Sequence, residues 1–422
     1  MLPSTVALII IGIMLVLYAT ELIPLAVTSL SACLALAVFG IIPLDAAFSG
    51  FGSDVTFLCV GMMVLGNALF ETGIASLIGK KIVSVVGVNE RVFIFAIMIV
   101  STVLSLFLAN TATVALMLPI AASAAAESGG RLTKKNTYMV IGMTTVVSGV
   151  ITIVGSTPQL IAQSILVSGG HEPMGFFELS RLSIPLLALL FVYFQTIGFS
   201  MQKKAYGPDE AADEAVEPGE PGAREPKSVP KMITAISILV LCVAGFITGL
   251  WTMGIVAMAG ASLCVVTGCI PLKTVFGKMD WSTVVILSSS FGIAAGLESS
   301  GAGRLIASAL MNLLGERITP WLFCAAIAFV GMLFTNFMSS TAMASILVPI
   351  AVFSAAELGY DVKSVVILTT VAVSSGFATP VSTVPITMTL AGGYRFTDYL
   401  KVGGVFNILA YILLIALLPL FL

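Results

Sequence analysis

The chain has 422 residues, 58% of them hydrophobic and 9% charged, with a formal net charge of −2. Soluble domains carry about 25% charged residues, so a surface meeting water on all sides is excluded, and the near-zero balance offers no footing for a nucleic-acid partner. One histidine and six cysteines without C-x-x-C spacing leave no material for a metal centre or a Ser-His-Asp arrangement, so enzyme activity is not expected and the cysteines read as small buried hydrophobes.

Apolar runs long enough for a roughly 30 Å hydrocarbon layer recur along the whole sequence. The opening residues, MLPSTVALII, lack a positive region and pass directly into the first run, so no removable leader is expected. Spans are predicted near 4–20, 22–42 and 55–79. The stretch 92–126 is apolar but interrupted at Ala109-Asn110-Thr111; its length fits either two spans or a re-entrant hairpin. A span near 137–167 is interrupted at Gly155-Ser156-Thr157-Pro158, and a last one covers 182–201. Residues 203–231 are acidic and rich in Pro and Gly, the composition of a solvated, disordered linker. Beyond it, spans are predicted near 232–250, 253–271 and 281–300. An interrupted stretch follows at 320–356, broken at Ser339-Ser340-Thr341. A second interrupted span, 363–391, is broken between Thr379 and Pro385, and the last span is 400–421.

The linker divides the chain into 1–202 and 232–422, and the two parts resemble each other. Gly40-Ile-Ile-Pro-Leu44 parallels Gly268-Cys-Ile-Pro-Leu272, the segment from Leu118 to Glu127 parallels that from Val348 to Glu357, and Phe70-Glu-Thr-Gly73 parallels Glu298-Ser-Ser-Gly301. Offsets that stay between 228 and 230 mark an internal repeat, which in a polytopic chain points to a secondary transporter. Five full spans per half, an odd number, makes the second half insert upside down. The expected architecture is an all-α polytopic membrane protein of two inverted-topology repeats, each with five spans, a re-entrant hairpin and a broken helix. With the linker inside, fifteen of the nineteen Lys and Arg lie on the cytoplasmic side, as the positive-inside rule requires. The location expected is the cell (inner or plasma) membrane.

Backbone at membrane depth must be hydrogen-bonded unless it lines a cavity within the protein. The breaks at Asn110-Thr111 and Ser340-Thr341 therefore read as binding elements: helix N-termini suit an anion, while carbonyls and hydroxyls suit a hard cation. Small polar residues elsewhere serve helix packing. No Lys or Arg falls in the middle of a span, so a buried anionic substrate would need a co-bound cation to offset its charge. Glu71 and Glu298 lie near helix ends, as interfacial side chains or, less simply, proton relays. Trp251, Trp281 and Trp321 sit at span ends, as interface anchors do.

At these residues the chain resembles the divalent anion/sodium symporter family over nearly its full length. That family carries a Ser-Asn-Thr motif at the tip of each hairpin; here the tips read Ala109-Asn110-Thr111 and Ser339-Ser340-Thr341, with Ser105 and Thr335 one turn earlier. Gly155-Ser156-Thr157-Pro158 and, more loosely, Ser382-Thr383-Val384-Pro385 match its broken-helix loops, and the segment from Gly392 to Gly403 its last loop. The resemblance implies a homodimer in the lipid bilayer, each protomer with a scaffold and a transport domain that moves as an elevator. It implies sodium-coupled symport of a small divalent anion, dicarboxylate or sulfate. Proton-coupled transport, anion exchange and cation/proton antiport are the alternatives on the same fold. One sodium would sit at Ser105, Asn110 and Gly155 and a second at Thr335, Ser339, Ser340 and Ser382. The anion would touch Asn110, Thr111, Ser156, Thr157, Ser340, Thr341 and Thr383. Ala109 and Ser340 depart from the motif, and a serine lacks the paired acceptor and donor of a carboxamide.

Overall fold

The computed structural model describes residues 2–20, 22–73, 89–128, 132–205, 229–314 and 319–420. Among these, all regular structure is helical. The first half runs α1 (Pro3–Thr20), α2 (Leu25–Val38), α3 (Ala46–Ser49), α4 (Asp54–Thr72), α5 (Glu90–Ser105), α6 (Asn110–Glu127), α7 (Lys134–Gly149), α8 (Thr157–Ser168), α9 (Ser180–Gln195) and α10 (Ile197–Ala205). The second runs α11 (Val229–Thr248), α12 (Met253–Val266), α13 (Leu272–Gly277), α14 (Trp281–Ser299), α15 (Ala302–Leu314), α16 (Pro320–Phe334), α17 (Ser340–Leu358), α18 (Val362–Val373), α19 (Val384–Met388) and α20 (Phe396–Leu417).

Local chemistry sets the ends. Ser53, Asn89, Thr133, Asp280, Thr319 and Asp361 each accept a backbone N–H of the helix they precede, which satisfies donors no helix can satisfy itself. Donors from Ser364 hold the Asp361 carboxyl below its usual range. Gly73 and Gly359 close α4 and α17 in the left-handed conformation, φ 82° and 70°, open to glycine at little cost.

Helices α4, α11, α14, α17 and α20 are long and apolar enough to cross a membrane. On α11 and α20, Val240, Leu241, Ile408 and Ile412 are all more than half exposed. Such faces call for lipid or another apolar surface, and the chain is a multi-pass membrane protein. All six cysteines are buried and free, as expected of small hydrophobes. Trp251, Trp281 and Trp321 are exposed at helix ends.

The element order occurs twice. The pairs α1/α11, α2/α12, α3/α13 and α4/α14 correspond, as do α5–α6/α16–α17, α7–α8/α18–α19 and α9/α20. Gly40 and Gly268 share φ near 70°, and Gly73 and Gly301 are both left-handed, in register with the repeat. Packing is reciprocal across the halves: α4 lies along α12 and α14 along α2, while α8 packs on α17 and α18 and α19 on α6 and α7. Small residues allow the close approaches. A methyl at Gly61 would fall 2.6 Å from the Ala257 carbonyl carbon, and one at Gly292 would fall 2.3 Å from Cys33 Sγ.

Several expected boundaries shift. The span drawn to 79 stops at Thr72, because Gly73 turns the chain. The span drawn to 271 stops at Val266, ahead of the Gly268 turn. The last span of the first half continues to Ala205, with a bend at Thr196, where ψ is −95°. Both flanks of the expected linker are helical, in α10 and α11, and 206–228 lies outside the described residues. The short helices α3, α13 and α15 were not expected; they are too brief or too amphipathic to read as spans.

Candidate functional site

Four interruptions define the site, two in each half. In the first half, α5 ends at Ser105 and α6 begins at Asn110, so the two residues face each other across a four-residue turn. Ser105, wholly buried, donates to the Thr145 carbonyl at 2.7 Å. The Asn110 carboxamide, also buried, has its orientation set by its neighbours. Its nitrogen turns to Ser105 Oγ at 2.7 Å and to the carbonyls of Thr145 and Gly155 at 3.2 Å each. Room for that side chain exists because residue 149 has none: a methyl at Gly149 would lie 2.1 Å from the nearer terminal atom of the Asn110 carboxamide. The α7–α8 break is drawn just as tight, since a methyl at Gly155 would lie 2.0 Å from the Gly149 carbonyl oxygen.

Gln159, two residues into α8 beyond the break and fully buried, donates to the Gly149 carbonyl at 3.3 Å and accepts from Ser156 Oγ. The sequence reading passed over it. A carboxamide following Gly-Ser-Thr-Pro inside an apolar run was the signal available. Thr157 points elsewhere: its hydroxyl meets Thr283 Oγ1 of α14 at 3.2 Å, and Thr283 donates to Asp280 at 2.6 Å. Thr111 is exposed on the first turn of α6.

The second half repeats the plan with smaller side chains. Thr335 donates to the Val373 carbonyl at 2.8 Å and lies 3.1 Å from Ser340 Oγ. The backbone N–H and hydroxyl of Ser340 both donate to the Ser382 carbonyl, at 2.9 and 3.1 Å. Ser382 donates in turn to the Gly376 carbonyl at 2.5 Å. The hydroxyl of Thr383 is buried without a hydrogen-bond partner, and Thr341 is half-buried on the first turn of α17.

The structure therefore brings together Ser105, Asn110 and Gly155, and separately Thr335, Ser340 and Ser382. It adds the carbonyls of Thr145 and Val373, which stand in matching places. Ser339 is not drawn into the second cluster, because its hydroxyl caps α17 by accepting from Ala342 N–H at 3.2 Å. Ala109, its counterpart, gives α6 no side-chain cap.

Glu71 lies in the last turn of α4, at the helix end expected for it. It is buried and forms a 2.8 Å ion pair with Lys278. The pair lies beside a cavity of about 430 Å³ lined by Glu71, Thr72, Lys231, Gly268 and Cys269, away from the breaks. Removing one partner of a buried pair is destabilising by about 3–5 kcal/mol, and less where one member, like Lys278, is half exposed. Lys278→Met should lower the thermal midpoint by several degrees and leave the ion dependence of transport unchanged. A changed proton dependence in that variant would restore the relay reading.

Comparison with known proteins gives a consistent picture. The family model for citrate transporters matches residues 15–374. A sodium-dependent high-affinity dicarboxylate transporter of Caenorhabditis elegans is 25% identical, covering 94% of this chain and 79% of that protein. The sodium-dependent dicarboxylate transporter SdcS of Staphylococcus saprophyticus is 23% identical, covering 94% and 82%. An uncharacterized transporter of Methanocaldococcus jannaschii is 25% identical, covering 92% and 88%. Among solved structures, the YdaH transporter of Alcanivorax borkumensis superposes with a TM-score of 0.64 at 15% identity, over 91% of this chain and 87% of that one. At that identity the likeness speaks for the fold alone.

Proposed function

The chain belongs to the citrate transporter family, and on that premise we propose that it is a secondary active symporter that couples sodium to the uptake of a small divalent anion. Its relatives are membrane transporters, not enzymes. One observation carries the coupling. The Asn110 amide nitrogen is held by three oxygens, Ser105 Oγ and the carbonyls of Thr145 and Gly155. Oxygens gathered around a donor nitrogen are also the set a small hard cation takes. Turning the amide over would add Oδ1 as a fourth ligand. The second cation would sit among Thr335, Ser340, Ser382 and the Val373 carbonyl. The anion lies between the two breaks, at the N-terminal ends of α6, α8 and α17, beside Thr111, Thr341 and Thr383; Ser156 and Thr157 join them only on releasing Gln159 and Thr283. The bound cations then offset its charge where no span supplies a Lys or Arg.

The two halves insert with opposite topology, and α5–α6 and α16–α17 are re-entrant hairpins. The reciprocal packing of α4 on α12 and α14 on α2 fits a two-fold relation between the halves, and the odd number of spans per half puts that axis in the membrane plane. Transport is by an elevator movement within a homodimer.

The names of the relatives make dicarboxylates the first substrates to test, with sulfate as the comparison. Purified protein in proteoliposomes should accumulate a labelled dicarboxylate under an inward sodium gradient and not under an equal potassium gradient. Accumulation driven equally well by a proton gradient alone, or only by counter-anion inside, would replace the sodium reading. The linker, with its acidic and proline-rich composition, lies in the cytoplasm. A cysteine placed at Ala212 should therefore stay unlabelled by an impermeant thiol reagent in intact cells and react once they are opened; labelling of intact cells would invert the topology.

A further inference from the structure

The second break poses a problem absent from the first. At the end of α7, the N–H groups of Val150 and Ile151 close on the carbonyls of Val147 and Ser148, at 3.3 and 3.1 Å, so the chain turns as it leaves the helix. At the end of α18, Ser374 and Ser375 close on Thr370 and Ala372 in the same way. The segment 375–377 then runs on without regular structure. Its next donors, the N–H groups of Phe377 and Ala378, have no helical carbonyl to meet, and at membrane depth each must find an acceptor.

They find two carboxamides, one in the turn between α16 and α17 ahead of Ser339-Ser340-Thr341 and one on α20. Phe377 N–H donates to Asn407 Oδ1 at 2.9 Å, from the middle of α20. Ala378 N–H donates to Asn336 Oδ1 at 2.8 Å, one turn ahead of the tip. Asn336 is itself anchored, with its nitrogen donating to the Met332 carbonyl at 2.6 Å. Its main-chain carbonyl accepts from Thr379 Oγ1. The last contact has a counterpart, since Thr152 Oγ1 donates to the Leu106 carbonyl at 3.0 Å. The carboxamide does not, because position 106 is a leucine.

The seat is close on both sides. A methyl at Gly376 would lie 2.6 Å from Thr335 Cγ2, and one at Gly403 of α20 would lie 1.8 Å from the Phe377 carbonyl oxygen. The Gly376 carbonyl is the one that accepts from Ser382.

We infer that Asn336 and Asn407 are positioning residues for the second cation site, fixing the backbone of Gly376–Ala378 from behind and so replacing the stiffening that the tip carboxamide gives the first site and Ser340 does not give the second. The first site is braced by Asn110 itself, whose amide bridges Thr145 and Gly155. In the second, Ser340 meets Ser382 and the Thr335 hydroxyl but itself reaches no carbonyl of the 373–378 segment, and that wall of the site would drift without the two carboxamides. The second site is accordingly firmer than its hydroxyl-only tip suggests.

This inference rests on the reading of the breaks as cation sites, and the test separates the two. Asn336→Leu, which installs the first half's residue, and Asn407→Leu are compared with wild type and with Asn336→Asp, an isosteric change that keeps the acceptor for Ala378. Two quantities are read: hydrogen exchange of the peptide 374–383 in micelles, and the sodium concentration for half-maximal uptake beside the KM for the anion at saturating sodium. Each leucine variant should speed exchange in that peptide by roughly tenfold or more. Each should also raise the half-saturating sodium concentration about tenfold with the anion KM unchanged, and Asn336→Asp should keep the exchange protection. Wild-type exchange and wild-type sodium dependence in either leucine variant overturn the inference, as does a rise in anion KM without a sodium shift. If wild type itself shows no sodium dependence, the symport reading fails, and the exchange experiment still decides whether the two carboxamides hold the loop.

Discussion

Asn110→Ala should abolish sodium-dependent uptake and sodium-dependent thermal stabilisation together. The side chain is buried and touches Ser105, Thr145 and Gly155 at once. Truncation removes a ligand oxygen, leaves the buried Gly155 carbonyl without its donor, takes one of two donors from the Thr145 carbonyl, and leaves Ser105 Oγ with its Thr145 bond alone. Two lost amide contacts, at about 1.4 kcal/mol each, correspond to roughly a hundredfold in apparent cation affinity. Ser340→Ala should cost far less. The Ser340 backbone N–H keeps its 2.9 Å bond to the Ser382 carbonyl when the hydroxyl is gone, so the apparent sodium affinity falls several-fold while uptake persists. Ser340→Asn, which restores the motif residue, should steepen the sodium dependence. The measurement is uptake against sodium concentration, paired with a thermal shift in sodium and in potassium. Normal transport by Asn110→Ala with an unchanged sodium curve would falsify the assignment of the first break.

Much of this arrangement was legible because the membrane narrows the choices. A polar triplet inside an apolar run has few explanations at that depth, so Ala109-Asn110-Thr111 and Ser339-Ser340-Thr341 stood out, and the near-constant offset between the halves tied them together. What stayed hidden was of three kinds. The carbonyls of Thr145 and Val373 carry no residue identity: any side chain at those positions would present the same oxygen, and only the fold shows that Ser105 and Thr335 reach them. Ser339 was placed among the cation ligands by motif, yet the first free N–H groups of α17 claim its hydroxyl, a competition that N-cap preference foretells. Asn336, Asn407 and Gln159 each looked like a stray polar residue in a span. Their roles depend on backbone donors and acceptors up to 42 positions away, as between Asn336 and Ala378. Boundaries failed where glycine ended a helix early, as at Gly73, since hydropathy continues across a turn that backbone conformation does not permit.

Gly155→Ala should all but abolish sodium-dependent uptake by the intrusion of a single methyl group at the first break. The added carbon would lie 2.0 Å from the Gly149 carbonyl oxygen and 2.7 Å from the carbonyl carbon and Cα of the same residue. All three atoms belong to the backbone, so no rotamer change relieves the collision and the break itself has to open by more than 1 Å to reach ordinary contact near 3.4 Å. Overpacking of this kind costs about 1–3 kcal/mol in stability. Its effect on function is larger, because the opening carries the Gly155 carbonyl away from Asn110 and displaces the Gln159 bond to Gly149. The variant should fold with a lowered midpoint, show no sodium-dependent stabilisation, and lose uptake by two orders of magnitude. Gly376→Ala provides the graded comparison. Its nearest neighbours are the Thr335 methyl at 2.6 Å and Ser382 Cβ at 3.0 Å, which are side-chain atoms able to yield. It should raise the sodium requirement and spare maximal uptake. Gly12→Ala, with nothing within 4 Å, should match wild type and calibrates what an indifferent methyl does in this membrane. If Gly155→Ala takes up substrate as Gly12→Ala does, the tight seat of the first break has no part in transport, and the cation must bind elsewhere.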